Sequence, residues 1–239
     1  MRTSRCWGVP LAVLTLALSF APGPPVSHLA LAAPRASAVA PGCYGGEIFD
    51  FNDDQHTDVA IGEPRGRAGS VDDAGSVEVR YGCGALAPQQ LRLPHPHRGD
   101  RFGAALAQGF YDDGNGSGAR VLFVGVPYLD VDGHENAGGV AEFHSSSDGL
   151  TLFRVLTQAT RGVPGKVQGG AHFGAALSLS DVNEETFFLR IGEPGKNVGH
   201  VKDTGGVVTL GWAEDPDQAP GDVETTVSHF GVAAQDGDL

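Results

Sequence analysis

Cysteine, methionine and tryptophan are scarce in this chain, and the short motifs of zinc sites and of catalytic nucleophiles are missing. The 239 residues include three cysteines, one methionine and two tryptophans. The nine histidines form no His-x-x-x-His pair, so no zinc site is indicated. No Gly-x-Ser-x-Gly elbow and no glycine-rich phosphate loop occurs. Glycoside hydrolysis by a pair of carboxylates remains an alternative, because such acids meet only in the folded chain.

Basic charge is also scarce. Lysine and arginine total 16 against 29 acidic residues, and the formal net charge is −13. The acidic residues are spread along the chain in turn-like positions, which does not suit a disordered acidic tail. Nucleic acid and anionic membrane surfaces repel such a chain, so neither is an expected partner.

Long apolar runs are confined to the N-terminal region. Arg2 and Arg5 precede an apolar run at residues 9–21, and small-residue cleavage sites follow before Pro41. That layout predicts a secretory signal peptide at residues 1–40 and a secreted, extracellular protein of residues 41–239. A membrane anchor is the alternative, but prolines interrupt the run well short of about 20 apolar residues.

Two cysteines remain after the predicted cleavage. Cys6 leaves with the signal peptide, while Cys43 and Cys83 form an even pair in an exported protein. We therefore expect a Cys43–Cys83 disulfide, which would stabilise the fold by roughly 4 kcal/mol through loop closure. Two free thiols are the alternative.

No segment has a helical period, and a repeat of short apolar runs takes its place. Three markers recur in a fixed order: an apolar run closed by Gly-x-Pro, a small residue and glycine shortly before valine, and Phe-Gly followed by small residues. They occupy, marker by marker, residues 61–64, 124–127 and 191–194; residues 74–77, 137–140 and 204–207; and Phe102, Phe173 and Phe230. The phenylalanines are predicted to fill the core between units, and the glycines to allow close approach of strands.

Each repeat predicts four short strands rich in valine, leucine and phenylalanine. In the second repeat these fall at residues 102–110, 121–124, 140–144 and 152–156, with glycine and proline between them. Four-stranded units repeated at this length predict an all-β propeller, in which each blade covers the edges of its neighbour. A β-sandwich is the alternative, although it would not need three markers in a fixed order.

The joint recurrence of these markers is similar to the FG-GAP repeat, the blade of the integrin α-chain propeller and of many secreted bacterial proteins. The resemblance covers residues 42–239 and implies a β-propeller, usually of seven blades, with calcium in an inter-strand loop of some of them. The implied units are residues 42–100, 101–170 and 171–228, with the start of another at residues 229–239. Gly42-Cys43 replaces Phe-Gly in the first unit. Such a chain cannot close a seven-blade ring, so we expect a partial propeller in a truncated chain.

The stretch DFNDDQHTD, residues 50–58, is the predicted calcium site. Calcium takes six to eight oxygen ligands from a tightly curled loop, and alternate residues of such a loop point the same way. The predicted ligands are the side chains of Asp50, Asn52 and Asp54, the backbone carbonyl of His56 and the carboxylate of Asp58. Gln55 stands where the family pattern has glycine, and a left-handed conformation would cost it about 1 kcal/mol. The expected role of the ion is structural; a solvated polar turn is the alternative.

The corresponding loops of the second and third repeats lack the closing carboxylate. Their residues at the same positions are Asp113, Asn115, Ser117 and Val121 in the second repeat and Asp181, Asn183, Glu185 and Leu189 in the third. Calcium is therefore favoured at the first loop and not at the other two.

The sequence favours a binding module without catalytic activity. Its expected partner is an extracellular protein or polysaccharide, recognised by residues 65–73 and 128–136, the longest connections after Gly-x-Pro. Arg98-Gly99-Asp100 matches a tripeptide of adhesion ligands, but Gly-Asp before Phe-Gly is also ordinary within the repeat. The alternatives are an exported hydrolase or polysaccharide-active enzyme, for which two carboxyls would have to share one pocket, and a purely structural module.

Overall fold

The computed structural model describes residues 49–84, 86–111, 119–183, 186–213 and 223–226. Within them the fold is all-β, apart from one short 3-10 turn at Gly82–Gly84. The strands are β1 Val59–Glu63, β2 Ser76–Arg80, β3 Gln89–Leu91, β4 Leu106–Tyr111, β5 Ala119–Val126, β6 Gly139–His144, β7 Thr151–Leu156, β8 Ala176–Asn183, β9 Thr186–Glu193, β10 Gly206–Ala213 and β11 Val223–Thr226.

These strands form three antiparallel sheets, in each of which consecutive strands are neighbours. Sheet 1 contains β1 to β3, sheet 2 contains β4 to β7 and sheet 3 contains β8 to β11. The sheets follow the order of the predicted repeats, but in the described part of the chain sheet 1 has three strands where four were predicted. One strand bound also needs correction. Phe102 and Gly103 lie in a turn before β4, because Gly103 has a φ of +91° and cannot continue an extended strand.

The Gly-x-Pro triplets end strands, as predicted. Pro64, Pro127 and Pro194 directly follow β1, β5 and β9. Proline has no N–H to donate to a neighbouring strand, so each sheet ladder stops there and the chain turns away.

Sheet 2 lies between the other two, and residues 121–126 of its strand β5 are buried on both faces. Along β5, Leu122 and Val124 belong to the core shared with sheet 1, whereas Val121 and Phe123 belong to the core shared with sheet 3. Alternate side chains of a strand point to opposite faces, so a continuous apolar run is what a strand between two sheets needs.

The two described Phe-Gly pairs each join one sheet to the next. Phe102 and Phe173 are fully buried, and each donates its N–H to the sheet before it, at Ala74 (2.9 Å) and Ala137 (3.0 Å). The Phe102 ring meets Phe143 edge to face, with 6.0 Å between ring centroids. The predicted core role of these phenylalanines is therefore confirmed for the two that the structure describes.

Several sequence predictions fall outside the described residues. These are the signal peptide at residues 1–40, the partner cysteine Cys43, the second acidic loop with Asp113, Asn115 and Ser117, and the fourth marker Phe230. The Cys43–Cys83 disulfide and the signal peptide stay predictions. In the part of the chain that the structure describes, no helix is long and apolar enough to cross a membrane.

Candidate functional site

The acidic loop folds around the carboxylate of Asp50, which lies just before the turn and is 1 % exposed. Asp50 Oδ1 accepts the N–H groups of Asn52 (3.3 Å) and Asp54 (3.1 Å), and Oδ2 accepts that of Gln55 (2.8 Å). Three donors on one carboxylate hold the following five residues in a tight curl. The loop is thus shaped by its own first acid.

Asn52 carries an oxygen without a hydrogen-bond partner. Its side-chain Nδ2 donates to Asp54 Oδ2 over 2.9 Å, which fixes the orientation of the amide. Asn52 Oδ1 is then buried with no hydrogen-bond partner, and the residue as a whole is 6 % exposed. Burying a carbonyl oxygen without a partner costs about 1–3 kcal/mol, so this atom points to a ligand that the protein itself does not supply.

Asp58 closes the loop and ties it to sheet 1. Its Oδ2 accepts the N–H of Phe51 (2.6 Å) and its Oδ1 accepts the N–H of Gly82 (2.8 Å). Burial raises the pKa of the Asp58 carboxyl above its ordinary value of 3.8; the two backbone donors oppose that shift, and the charges of Asp54 and Asp50 add to it. Among the described residues, no lysine or arginine forms an ion pair with Asp58.

Gln55 adopts the left-handed conformation that the calcium-loop pattern requires at this position. Its φ is +65°, in a region where a side chain costs about 1 kcal/mol or more relative to glycine. Position 6 of a 12-residue calcium loop is a glycine for the same sharp turn. The backbone therefore keeps the turn although the residue type does not favour it.

The five predicted ligand residues lie together, but their carboxylates are turned toward backbone N–H groups. His56, expected to give its carbonyl oxygen, donates its own N–H to Asp54 Oδ1 over 2.9 Å. In the described ranges, no group of three or more His, Cys, Asp or Glu side chains is arranged to hold a metal ion. The donor set fits a hard cation in its chemistry, since every candidate ligand is an oxygen.

In the third repeat, the described residues at the corresponding positions lie in a strand rather than in a curled loop. Asp181 and Asn183 lie within β8, with the register irregularity of the β8–β9 pair between them. Sheet register also changes the residue that corresponds to Asp58. Counting four residues back from Gly192 gives Phe188 rather than Leu189, because Gly62 and Gly192 occupy the same place opposite Val77 and Val207.

A cavity of about 430 Å³ lies beside the loop, between β1 and β4. Its walls are mainly apolar and include Phe49, Leu106 and Leu122; Asp58 is the one carboxyl among the described residues that line it. Asp100, a second carboxyl with a raised pKa, belongs to a different loop, and the main cause of its shift is also burial. The two acids therefore do not share a pocket.

The Arg-Gly-Asp tripeptide is not displayed as an adhesion ligand requires. Asp100 is 4 % exposed, and its Oδ2 accepts the N–H of His97 over 2.6 Å. A buried carboxylate that already caps a turn cannot reach a receptor cation. The Asp100 side chain is therefore used within the turn that precedes Phe102 and Gly103.

Sequence reasoning missed two buried charge clusters. In sheet 3, Lys196 Nζ lies 3.3 Å from Glu193 Oε2 and 3.2 Å from Gln158 Oε1, and Glu193 is fully buried. In sheet 2, buried Glu142 accepts hydrogen bonds from Arg154 (2.6 Å) and pairs with His144 (2.8 Å). The sequence signal for the sheet 3 cluster was an acid and a lysine three residues apart, on either side of the proline of Gly-x-Pro. The same pattern also fits an exposed turn.

Comparisons with known proteins add no identity to these features: no protein-family model matches the chain, and no curated protein matches it. The class that the sheets define is an all-β protein made of repeated antiparallel meanders.

Proposed function

We propose that this protein is a secreted β-propeller region of FG-GAP type, stabilised by calcium, that binds an extracellular protein or polysaccharide and performs no chemistry. The repeated sheets support the architecture, since each is a meander and the two described Phe-Gly pairs, at Phe102 and Phe173, hydrogen-bond back to the sheet before them.

The partnerless oxygen of Asn52 carries the calcium part of the proposal. It is buried within a loop whose three carboxylates, Asp50, Asp54 and Asp58, repel one another without a cation. A calcium ion would take Asn52 Oδ1 and oxygens of these acids, and the carbonyl of His56 would add a further ligand. The ion would tie the loop to β1 by neutralising Asp58 at its base.

The connections after Gly-x-Pro support recognition by loops. Each contains the same short hairpin, closed by paired backbone bonds between Ala68 and Val71, between Val131 and His134, and between Val198 and Val201. The backbone is repeated while the side chains differ, with Arg67 and Asp72 paired in the first loop and Asp130 capping Asn136 in the second. A rigid frame with variable side chains is the arrangement that binding loops use.

Thermal unfolding tests the calcium site. The melting temperature should rise when millimolar calcium replaces excess EDTA, and Asp58→Asn should remove most of that rise because one ligand oxygen is lost. Asp148→Asn, in an exposed turn outside the loop, is the matched control and should keep the full rise. An equal calcium-dependent rise in both variants would exclude the loop as the site.

An array of immobilised polysaccharides and extracellular-matrix proteins tests the binding role. Binding should weaken when exposed loop-tip residues such as Ser70 and Asp132 are replaced, without loss of folding. The same polysaccharides incubated with the protein should release no new reducing ends. Release of reducing ends would replace the binding role with the hydrolase alternative.

A further inference from the structure

The two interfaces between the sheets use equivalent residues. Counted from the Gly-x-Pro glycine, Leu122 and Val124 of sheet 2 correspond to Leu189 and Ile191 of sheet 3. All four are at most 2 % exposed, because each pair packs against the preceding sheet. This face of a sheet is therefore built to be covered.

Sheet 1 carries the same apolar pair, but leaves it open. The equivalent residues are Val59 and Ile61, which are 51 % and 38 % exposed. They share the outer face of sheet 1 with Glu63 and Glu78, since Ile61 pairs with Glu78 across the β1–β2 ladder. The equivalent positions are buried in both sheet 2 and sheet 3, so exposed β-branched residues there indicate that this face of sheet 1 packs against a partner.

Sheet 3 carries the complementary face. Val77 of sheet 1 and Val140 of sheet 2 are fully buried against the following sheet, while the equivalent Val207 is only half-buried. Arg190 is exposed on the same outer face of sheet 3, hydrogen-bonded to Ser180 at 2.6 Å, and lies near the Phe188 ring. It occupies the position of Phe123 in sheet 2. This face thus offers an apolar patch and a cation.

We propose that the outer face of sheet 1 packs on the outer face of sheet 3 of a second copy of this chain. The contact repeats the packing already present between sheets 1 and 2 and between sheets 2 and 3. Val59 and Ile61 meet the patch around Phe188 and Val207, and Glu63 or Glu78 meets Arg190. Two different faces make a head-to-tail contact, which closes into a ring or continues as a chain of copies. The contact does not depend on calcium.

Sedimentation velocity over a concentration series tests the association, at an ionic strength of about 0.15 M so that the net charge is screened. The wild type should self-associate. Ile61→Glu and Arg190→Glu should each weaken association at least tenfold while unfolding at temperatures close to that of the wild type. Phe153→Glu, which alters a residue 60 % exposed on β7 of sheet 2, is the control and should associate as the wild type does. A wild type that stays monomeric up to about 100 μM overturns the proposal.

Mixing the two variants tests the head-to-tail arrangement. Ile61→Glu keeps an intact sheet 3 face and Arg190→Glu keeps an intact sheet 1 face, so an equimolar mixture should form a dimer that neither forms alone. That dimer should not grow further, because its remaining two faces are the altered ones. A mixture that stays monomeric would overturn the pairing of these two faces. Because calcium is absent from both experiments, their failure is distinguishable from failure of the calcium site.

Discussion

Sheet 2 and sheet 3 solve the same packing problem with opposite chemistry. After the Gly-x-Pro glycine, sheet 2 places Val126 and Leu129 where sheet 3 places Glu193 and Lys196. The first pair packs in the core shared with sheet 1, and the second forms a buried ion pair that also holds Gln158. The frame of glycines and phenylalanines is therefore shared, whereas the positions between them accept either apolar or charged pairs.

The difference teaches where stability depends on a partner. An apolar pair needs only burial, but a buried ion pair is stable only while both members are present. At another position of the frame, four residues before the Gly-x-Pro glycine, sheet 1 places Asp58 where sheet 2 has Val121, and Asp58 relies on two backbone donors. Charged residues next to the repeated glycines and phenylalanines thus mark the parts of the molecule whose stability depends on a bound ion or on a paired side chain.

Replacing Lys196 in sheet 3 should cause the largest loss in the free energy of unfolding. Lys196→Met keeps the length of the side chain but removes the cation that lies 3.3 Å from Glu193 Oε2. Removing one partner of a buried pair typically costs about 3–5 kcal/mol in the free energy of unfolding. Chemical denaturation monitored by fluorescence measures this change.

Copying sheet 2 into sheet 3 is the control for that loss. The double variant Glu193→Val with Lys196→Leu installs the pair that Val126 and Leu129 already form one sheet earlier. It should recover most of the stability lost in Lys196→Met, because no charge stays buried. A double variant as unstable as the single one would show that the two sheets do not share a frame.

A methyl group on the shared frame should cost somewhat less. In Gly125→Ala the new Cβ would lie 2.1 Å from the backbone oxygen of Gly174 in the neighbouring repeat, so one of the two segments must move. We expect a loss of about 3 kcal/mol. Gly133→Ala is the control, because a Cβ there meets no atom within 4 Å and only the φ of +81° is unfavourable, at about 1 kcal/mol. Equal losses in the two variants would argue against the close approach.

The sequence predicted the repeated frame well because its residues act locally. The proline of Gly-x-Pro ends a strand, and Phe-Gly begins a turn, whatever the neighbouring sheet contains. The curl of residues 50–58 was likewise predictable, since the spacing of Asp50 from its three backbone donors is short. The Lys196–Gln158 hydrogen bond was not, because it joins residues of two repeats and periodicity carries no information on such a pair. The sequence comparison matched Leu189 to Asp58, one residue away from Phe188, the true equivalent. The cause is an irregularity in the β8–β9 hairpin, which is visible only in the pairing of the two strands.

The smallest predicted effect concerns Asp100, whose counterpart two residues before the next Phe-Gly is Ala171. Both residues are buried, and the backbone carbonyl of each accepts a hydrogen bond from the chain just after a Gly-x-Pro triplet. Asp100 accepts the N–H of Tyr128 (3.4 Å), and Ala171 accepts the N–H of Gly195 (3.1 Å). Burial raises the pKa of Asp100 above its ordinary 3.8, and Asp130 adds to that shift, while the His97 N–H and the His97 charge oppose it. The folded protein therefore holds this proton more tightly than the unfolded chain. Stability from Asp100 is fully present below pH 3.8 and falls as the pH rises through the raised value.

Asp100→Ala installs the residue that the third repeat already uses and removes this titration. Near pH 7 the variant should be within about 1 kcal/mol of the wild type, because the lost hydrogen bond to the His97 N–H is offset by removal of a buried charge. Below pH 4 the wild type should gain relative to the variant. Denaturant unfolding of both proteins between pH 3.5 and pH 7 measures the difference. A gap that widened toward neutral pH would mean that the folded state prefers the charged carboxylate, and that Asp100 belongs with the paired charges of sheet 3 rather than with the apolar positions of sheet 2.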